Sequence, residues 1–127
     1  MDGSETTTAV GGVIVSTAGD RFQAMRTFYV DVLDLSPRSD RDGFLNVDLD
    51  GVRLTVATHT DVSGVSDQPA RIMINLIVDD IDRRHAAAVA RGATSIRPPE
   101  PEHWGGRICT LADPDGNYVQ LMTPDPR

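Results

Sequence analysis

Phe44-Leu45-Asn46-Val47-Asp48-Leu49-Asp50-Gly51-Val52-Arg53-Leu54-Thr55-Val56-Ala57 is the stretch that decides the fold. Apolar and polar side chains alternate on both sides of Asp50-Gly51, and an Asp-Gly pair supplies the positive backbone dihedrals of a two-residue hairpin. The pattern predicts antiparallel strands over 44–49 and 52–57. The same device recurs where Asp113-Pro114-Asp115-Gly116 separates residues 108–112 from 118–122. An acid-started helical stretch precedes each hairpin, opened by Asp20 in the first copy and by Asp79-Asp80 in the second. Two copies of one unit share a core, and the concave space between them suits a ligand.

Outward from the first hairpin, residues 10–17 read as a strand, and Asp20 is placed to cap the helix that follows. Phe22, Met25, Tyr29, Val32 and Leu33 make its apolar stripe, and Pro37 stops it. Residues 58–70 have connector composition. Residues 72–78 carry the strongest strand signal, and the next helix puts Ile81, His85, Ala88 and Val89 on one face before Gly92. Residues 98–106 read as a Pro- and Gly-rich loop. The expected class is α+β: two tandem βαβββ modules, about 10–60 and 70–124, forming a curved mixed sheet around a cleft with helices on the outer face. Residues 10–124 are then one domain, between a flexible N-terminus at 1–9 and a tail at 125–127.

A length of 127 residues fits one domain, and a net charge of −7 disfavours nucleic acid or an anionic membrane as partner. Cys109, the single cysteine, has no internal disulfide partner. No run is apolar enough to cross a bilayer, and the N-terminal residues do not read as a leader, so a soluble, cytoplasmic protein is expected.

Alternation splits each hairpin into two faces. Leu45, Val47, Leu49, Val52, Leu54, Val56, Ile72, Ile74, Leu76 and Val78 form an aliphatic face toward the helices. Phe44, Asn46, Asp48, Arg53, Thr55, Ala57, Met73, Asn75, Tyr118, Gln120 and Met122 form a mixed face, either flat in water or curled into a cleft.

Gly19-Asp20 through Phe28-Tyr29, Val32-Leu33-Asp34-Leu35, Val78-Asp79-Asp80-Ile81 and Asp113-Pro114-Asp115-Gly116-Asn117 together resemble the vicinal oxygen chelate superfamily. It comprises the glyoxalase, bleomycin resistance protein and extradiol dioxygenase lineages. The resemblance runs over about residues 10–124, and the repeated βαβββ order matches that family's fold. It implies His or Glu on the first, fourth, fifth and eighth strands, holding one divalent ion. Those positions fall at Val13, Thr55, Met73 and Gln120, none of which carries an imidazole or a carboxylate. No metal or other cofactor is therefore expected, and the reading leans away from catalysis.

The expected function is metal-independent binding of a small molecule, in family terms an antibiotic or other natural product, by a homodimer whose cleft is shared between subunits. Phe44, Asn46, Arg53, Thr55, Met73, Asn75, Trp104, Tyr118, Gln120 and Met122 are the candidate ligand contacts. Arg53 is either an ion-pair partner of Asp48 or a clamp for a carboxylate or phenolate. Trp104 is either a lid over the cleft or a cap on the core edge. His85 and Cys109 read as structural. Two alternatives stay open: an enzyme of the same family, either metal-dependent through a rearranged site using His59, His103 or Glu102 or working by acid/base chemistry without metal, with Glu100 and Glu102 flanking His103, and a protein-interaction module.

Overall fold

The structure, a computed structural model, describes residues 7–124. Residues 1–6 of the expected N-terminal arm and the 125–127 tail lie outside the described residues. The first module comprises β1 (Gly12–Thr17), a 3-10 turn at Gly19–Arg21, α1 (Phe22–Thr27) running into a π turn at Phe28–Val32, β2 (Ser39–Arg41), β3 (Phe44–Leu49) and β4 (Val52–Thr58). The second comprises β5 (Ile74–Ile77), α2 (Ile81–Ala90), β6 (Thr94–Pro101), β7 (Arg107–Ala112) and β8 (Tyr118–Met122). Each module builds one four-stranded sheet, ordered β1-β4-β3-β2 and β5-β8-β7-β6. In both, the module's first strand lies parallel to its last and the other pairs are antiparallel. The molecule is thus α+β with two tandem βαβββ modules. Among the described residues, no helix is long and apolar enough to cross a membrane.

Asp50 and Gly51 take φ of 54° and 91°, the left-handed pair that the β3–β4 turn requires. The helical stripe is buried as its spacing predicts, with Met25 and Tyr29 fully enclosed. Phe28 is buried too. The wider π turn brings the consecutive rings of Phe28 and Tyr29 inward, where they meet edge to face at 5.0 Å.

Local geometry corrects several expectations. Asp20 lies inside the 3-10 turn and caps nothing. The first helical segment ends at Leu33 and Asp34, the latter at φ 58°, before Pro37 is reached. The strand expected over 72–78 forms only at Ile74–Ile77, because β5 is an edge strand hydrogen-bonded on one side alone. Ile72 stands 81% exposed instead of joining the aliphatic face. Val89 is exposed, whereas Ile81 and Ala88 are buried. Residues 98–101 of the expected 98–106 loop belong to β6, a sheet edge whose register breaks on either side of Arg97. Pro98 and Pro99 have no N–H to give a ladder, and edges and bulges are where strands tolerate proline.

One loop fastens the modules together. Asp113 and Asp115, both buried, receive hydrogen bonds from the other module. Tyr29 Oη donates to Asp113 at 2.8 Å, Thr17 Oγ1 to Asp115 at 2.6 Å, and Arg21 Nε to Asp115 at 2.5 Å. Asp113 also accepts the backbone N–H groups of Asp115 and Asn117 at 3.0 and 2.9 Å. Burial raises the Asp113 carboxyl above its ordinary range, against the opposing pull of these bonds. Burial, and then the negative charge of Asp113, holds the Tyr29 phenol well above 10.

Candidate functional site

The strand ladders assemble the mixed face as cross-strand rows. In the first sheet Phe44 stands opposite Ala57, Asn46 opposite Thr55 and Asp48 opposite Arg53. In the second Asn75 stands beside Gln120, Gln120 opposite Thr110, and Tyr118 opposite Ala112. The central rows of the modules match in chemistry. Asn46 Nδ2 donates to Thr55 Oγ1 at 2.8 Å, and Gln120 Nε2 to Thr110 Oγ1 at 3.2 Å. Each amide therefore spends an N–H on its neighbouring hydroxyl.

These rows also correct two of the corner positions. Val13 pairs with Leu54 and packs beside the core, so it does not stand on the mixed face with Thr55. The residue beside Thr55 is Ile14. A count that slips by one residue along a strand exchanges its faces, and this is what placed Val13 wrongly. Met73 precedes β5, and the residue beside Gln120 is Asn75. The four corners are thus Ile14, Thr55, Asn75 and Gln120: an aliphatic chain, a hydroxyl and two amides. That set does not fit zinc or a similar transition-metal ion, which takes imidazole, thiolate or carboxylate. Among the described residues no three His, Cys, Asp or Glu come close enough to hold a metal ion.

The alternative acid/base residues are not assembled either. Arg97 holds Glu102 at 2.8 Å and Glu100 at 3.3 Å. The exposed His59 accepts the Asp61 N–H at 3.0 Å through Nδ1. His85 shares a 2.8 Å hydrogen bond with Ser95 on the helical side. Cys109 is fully buried, and burial raises its thiol pKa. Trp104 is half-buried, and a Cβ added at Gly106 would collide with its indole, so the ring lies over its own loop.

A cavity of about 900 Å³ opens between the β3–β4 hairpin and β5. Its volume lies near the upper end of the ~300–1,000 Å³ span of small-molecule pockets. Val13, Leu35, Leu54, Ile74 and Leu76 contribute apolar wall, and the polar groups on it are Arg53, Arg84 and Asn75 together with the carboxylates of Asp48 and Asp50. Of the ten candidate contacts, Arg53, Met73 and Asn75 line it, while Phe44, Asn46, Thr55, Trp104, Tyr118, Gln120 and Met122 do not. Tyr118 instead faces the connector at Gln68–Arg71. Asp48 does not neutralise Arg53: its Oδ1 accepts the Gly51 N–H at 3.0 Å, closing the hairpin turn. Among the described residues no carboxylate lies within 4.0 Å of the Arg53 guanidinium. Leu54, expected on the aliphatic face, is joined on the cavity wall by Val13, expected at a metal-ligand position, and by Leu35, noted only as part of the family-like motif. Their part in the cavity depends on how the hairpin sits against β5, a long-range placement that alternation does not encode.

This two-module fold, with a cavity at its sheet edges, defines a class of small α+β proteins that comparison identifies. A family model described as a glyoxalase-like domain matches residues 13–122. The chain belongs to that family. A glyoxalase-related enzyme from Fulvimarina pelagi superposes with a TM-score of 0.74 at 18% identity, covering 92% of this chain and 88% of that one. A glyoxalase/bleomycin resistance protein/dioxygenase family enzyme from Burkholderia phytofirmans PsJN gives 0.70 at 21% identity, covering 89% and 96%. A glyoxalase/bleomycin resistance protein from Catenulispora acidiphila gives 0.68 at 23%, covering 91% and 98%. Uncharacterized proteins of Mycobacterium bovis and Mycobacterium tuberculosis are 36% identical over 53 residues, or 42% of this chain. The matched stretch spans about a third of those relatives, 35% and 31% of their lengths.

Proposed function

We propose that this protein binds an apolar organic anion, without a metal ion, in the cavity between the β3–β4 hairpin and β5. The observation that carries the reading is Arg53, a guanidinium with no carboxylate partner at the wall of a largely aliphatic cavity. Such a wall favours ligands with a sizeable apolar body, and the guanidinium favours those ending in a carboxylate or phenolate. Asn75 adds a directional hydrogen bond and Met73 an adaptable apolar contact. The corner residues supply no Lewis-acid ligands, so the role is sequestration. The bleomycin resistance proteins among the structural neighbours extend the ligand class to antibiotics and other natural products.

The functional unit in this reading is a homodimer. β1 and β5 are free sheet edges, and Ile14 and Ile77 on them are 72% and 68% exposed. A second copy laid along these edges would cover them and close the open side of the cavity. Sedimentation should then give a dimer mass at micromolar concentration, and a monomer would contradict this part of the reading.

Calorimetric titration with 2-naphthoate and its neutral amide tests the site. Saturable naphthoate binding is expected, weakened about tenfold by Arg53→Ala, which removes a charge-assisted hydrogen bond. Amide binding should be insensitive to that substitution. No saturable heat from either compound would contradict the proposal.

A further inference from the structure

Adjoining the larger cavity, with Arg84 on the border of both, lies a second and smaller concavity on the α2 side. It holds about 250 Å³ between α2 and the end of the first module's helical segment. Arg84, Ala87 and Arg91 follow one another at helical spacings of three and four, so they share a face of α2, with Arg83 beside them. Ala87 is small, and its truncated side chain leaves the floor low between two guanidinium groups. Val32, Leu33 and the buried Leu121 complete the apolar base.

The charges facing this groove can be counted. Asp34 borders it, Asp79 lies 3.5 Å from Arg84, and Asp80 lies 3.6 Å from Arg83. Both ion pairs are longer than a charge-assisted hydrogen bond, and Asp79 is 87% exposed, so solvent screens them. Asp80 also accepts the Arg83 N–H as the helix cap. Arg91 has no carboxylate partner among the described residues. Its Nη1 reaches the carbonyls of Asp31 and Val32 at 3.4 Å, which orients the guanidinium over the groove and leaves its other N–H groups to a ligand.

We propose that this groove binds a small multivalent oxyanion of the phosphate class, either free or as a phosphomonoester. Three guanidiniums bordering a low apolar floor suit a tetrahedral anion that accepts several forked hydrogen bonds at once. A single carboxylate would engage only one of them. The long contacts to Asp79 and Asp80 are the ones the anion would replace. Arg84 is shared with the larger cavity whereas Arg83, Ala87 and Arg91 are not, and the proposal does not require that cavity to bind anything.

Calorimetry on the full chain with pyrophosphate, inorganic phosphate and phenyl phosphate, at ionic strength fixed with chloride, tests it. Saturable binding of at least one is expected, weakened about tenfold by Arg84→Ala and by Arg91→Ala and unchanged by Arg71→Ala. Binding of the inorganic anions would mark the free ion as ligand, whereas binding of phenyl phosphate alone would mark a phosphomonoester. Arg91 also touches the first module's helix, so the exposed Arg83→Ala serves as a second variant that keeps the fold and should weaken binding less. Absence of saturable binding by all three anions would overturn the proposal. So would affinities indifferent to Arg83, Arg84 and Arg91.

Discussion

The Asp113–Asn117 loop and the Arg53 cavity wall treat polar groups in opposite ways. At the loop, Asp113 and Asp115 are buried and their oxygens engaged by Tyr29, Thr17, Arg21 and backbone N–H groups. At the cavity wall, the carboxylate across from Arg53 is diverted to the Gly51 N–H, and the guanidinium keeps its donors. The contrast teaches where this fold consumes hydrogen-bonding capacity and where it keeps some in reserve. Interactions at the junction hold the modules together, and those at the wall are available to a ligand.

The largest effect should follow from Asp113→Ala. It leaves the buried Tyr29 hydroxyl and two loop N–H groups without an acceptor, a loss of about 2–4 kcal/mol. Urea unfolding should show a sharply lower midpoint. Arg53→Ala should unfold at the wild-type urea concentration yet bind 2-naphthoate about tenfold more weakly, which separates the two regions in one experiment.

Tyr29→Phe should cost about 1 kcal/mol at neutral pH, the usual net worth of one hydrogen bond. It should also flatten the alkaline limb of the stability curve. The Tyr29 phenol is raised well above 10.0 when folded, so its contribution is present below the unfolded value near 10.0 and lost as pH rises beyond it. The buried Cys109 thiol is raised from 9.0 and acts in the same direction from a slightly lower pH. All twelve basic residues are arginines, so no lysine titrates across this window. Unfolding midpoints from pH 8 to about pH 11 should fall in the wild type and fall less in Tyr29→Phe. The smallest effect on binding should come from Gly106→Ala. It must displace the Trp104 indole and shift its fluorescence, yet leave naphthoate affinity unchanged.

Much of the architecture is legible in the sequence because it is written locally. The Asp50-Gly51 turn, the alternation over 44–57 and the stripe from Phe22 to Leu33 each depend on residues close in the chain. What escapes is set by neighbours distant in the chain. β2 is three exposed polar residues that become a strand only because Asn46, Leu45 and Phe44 offer them a ladder. β6 hides behind prolines that an edge position tolerates. The mixed face was legible as a set, since parity fixes Asn46, Thr55, Asn75 and Gln120 on one side. Its absolute register on β1 was not, and Val13 stood where Ile14 belongs. Of the candidate contacts only Arg53, Met73 and Asn75 line the cavity, because cavity shape comes from how hairpin and edge strand face each other across the modules.

The most direct test of the central claim, that reserved polar capacity at the cavity wall serves ligand binding, is amide chemical-shift mapping during a 2-naphthoate titration. Saturable shifts should concentrate at Arg53, Ile74, Asn75 and Leu76 and leave Trp104 and Tyr118 in place. Shifts centred on Trp104, Tyr118 and Gln120, or no saturable shifts at all, would contradict it.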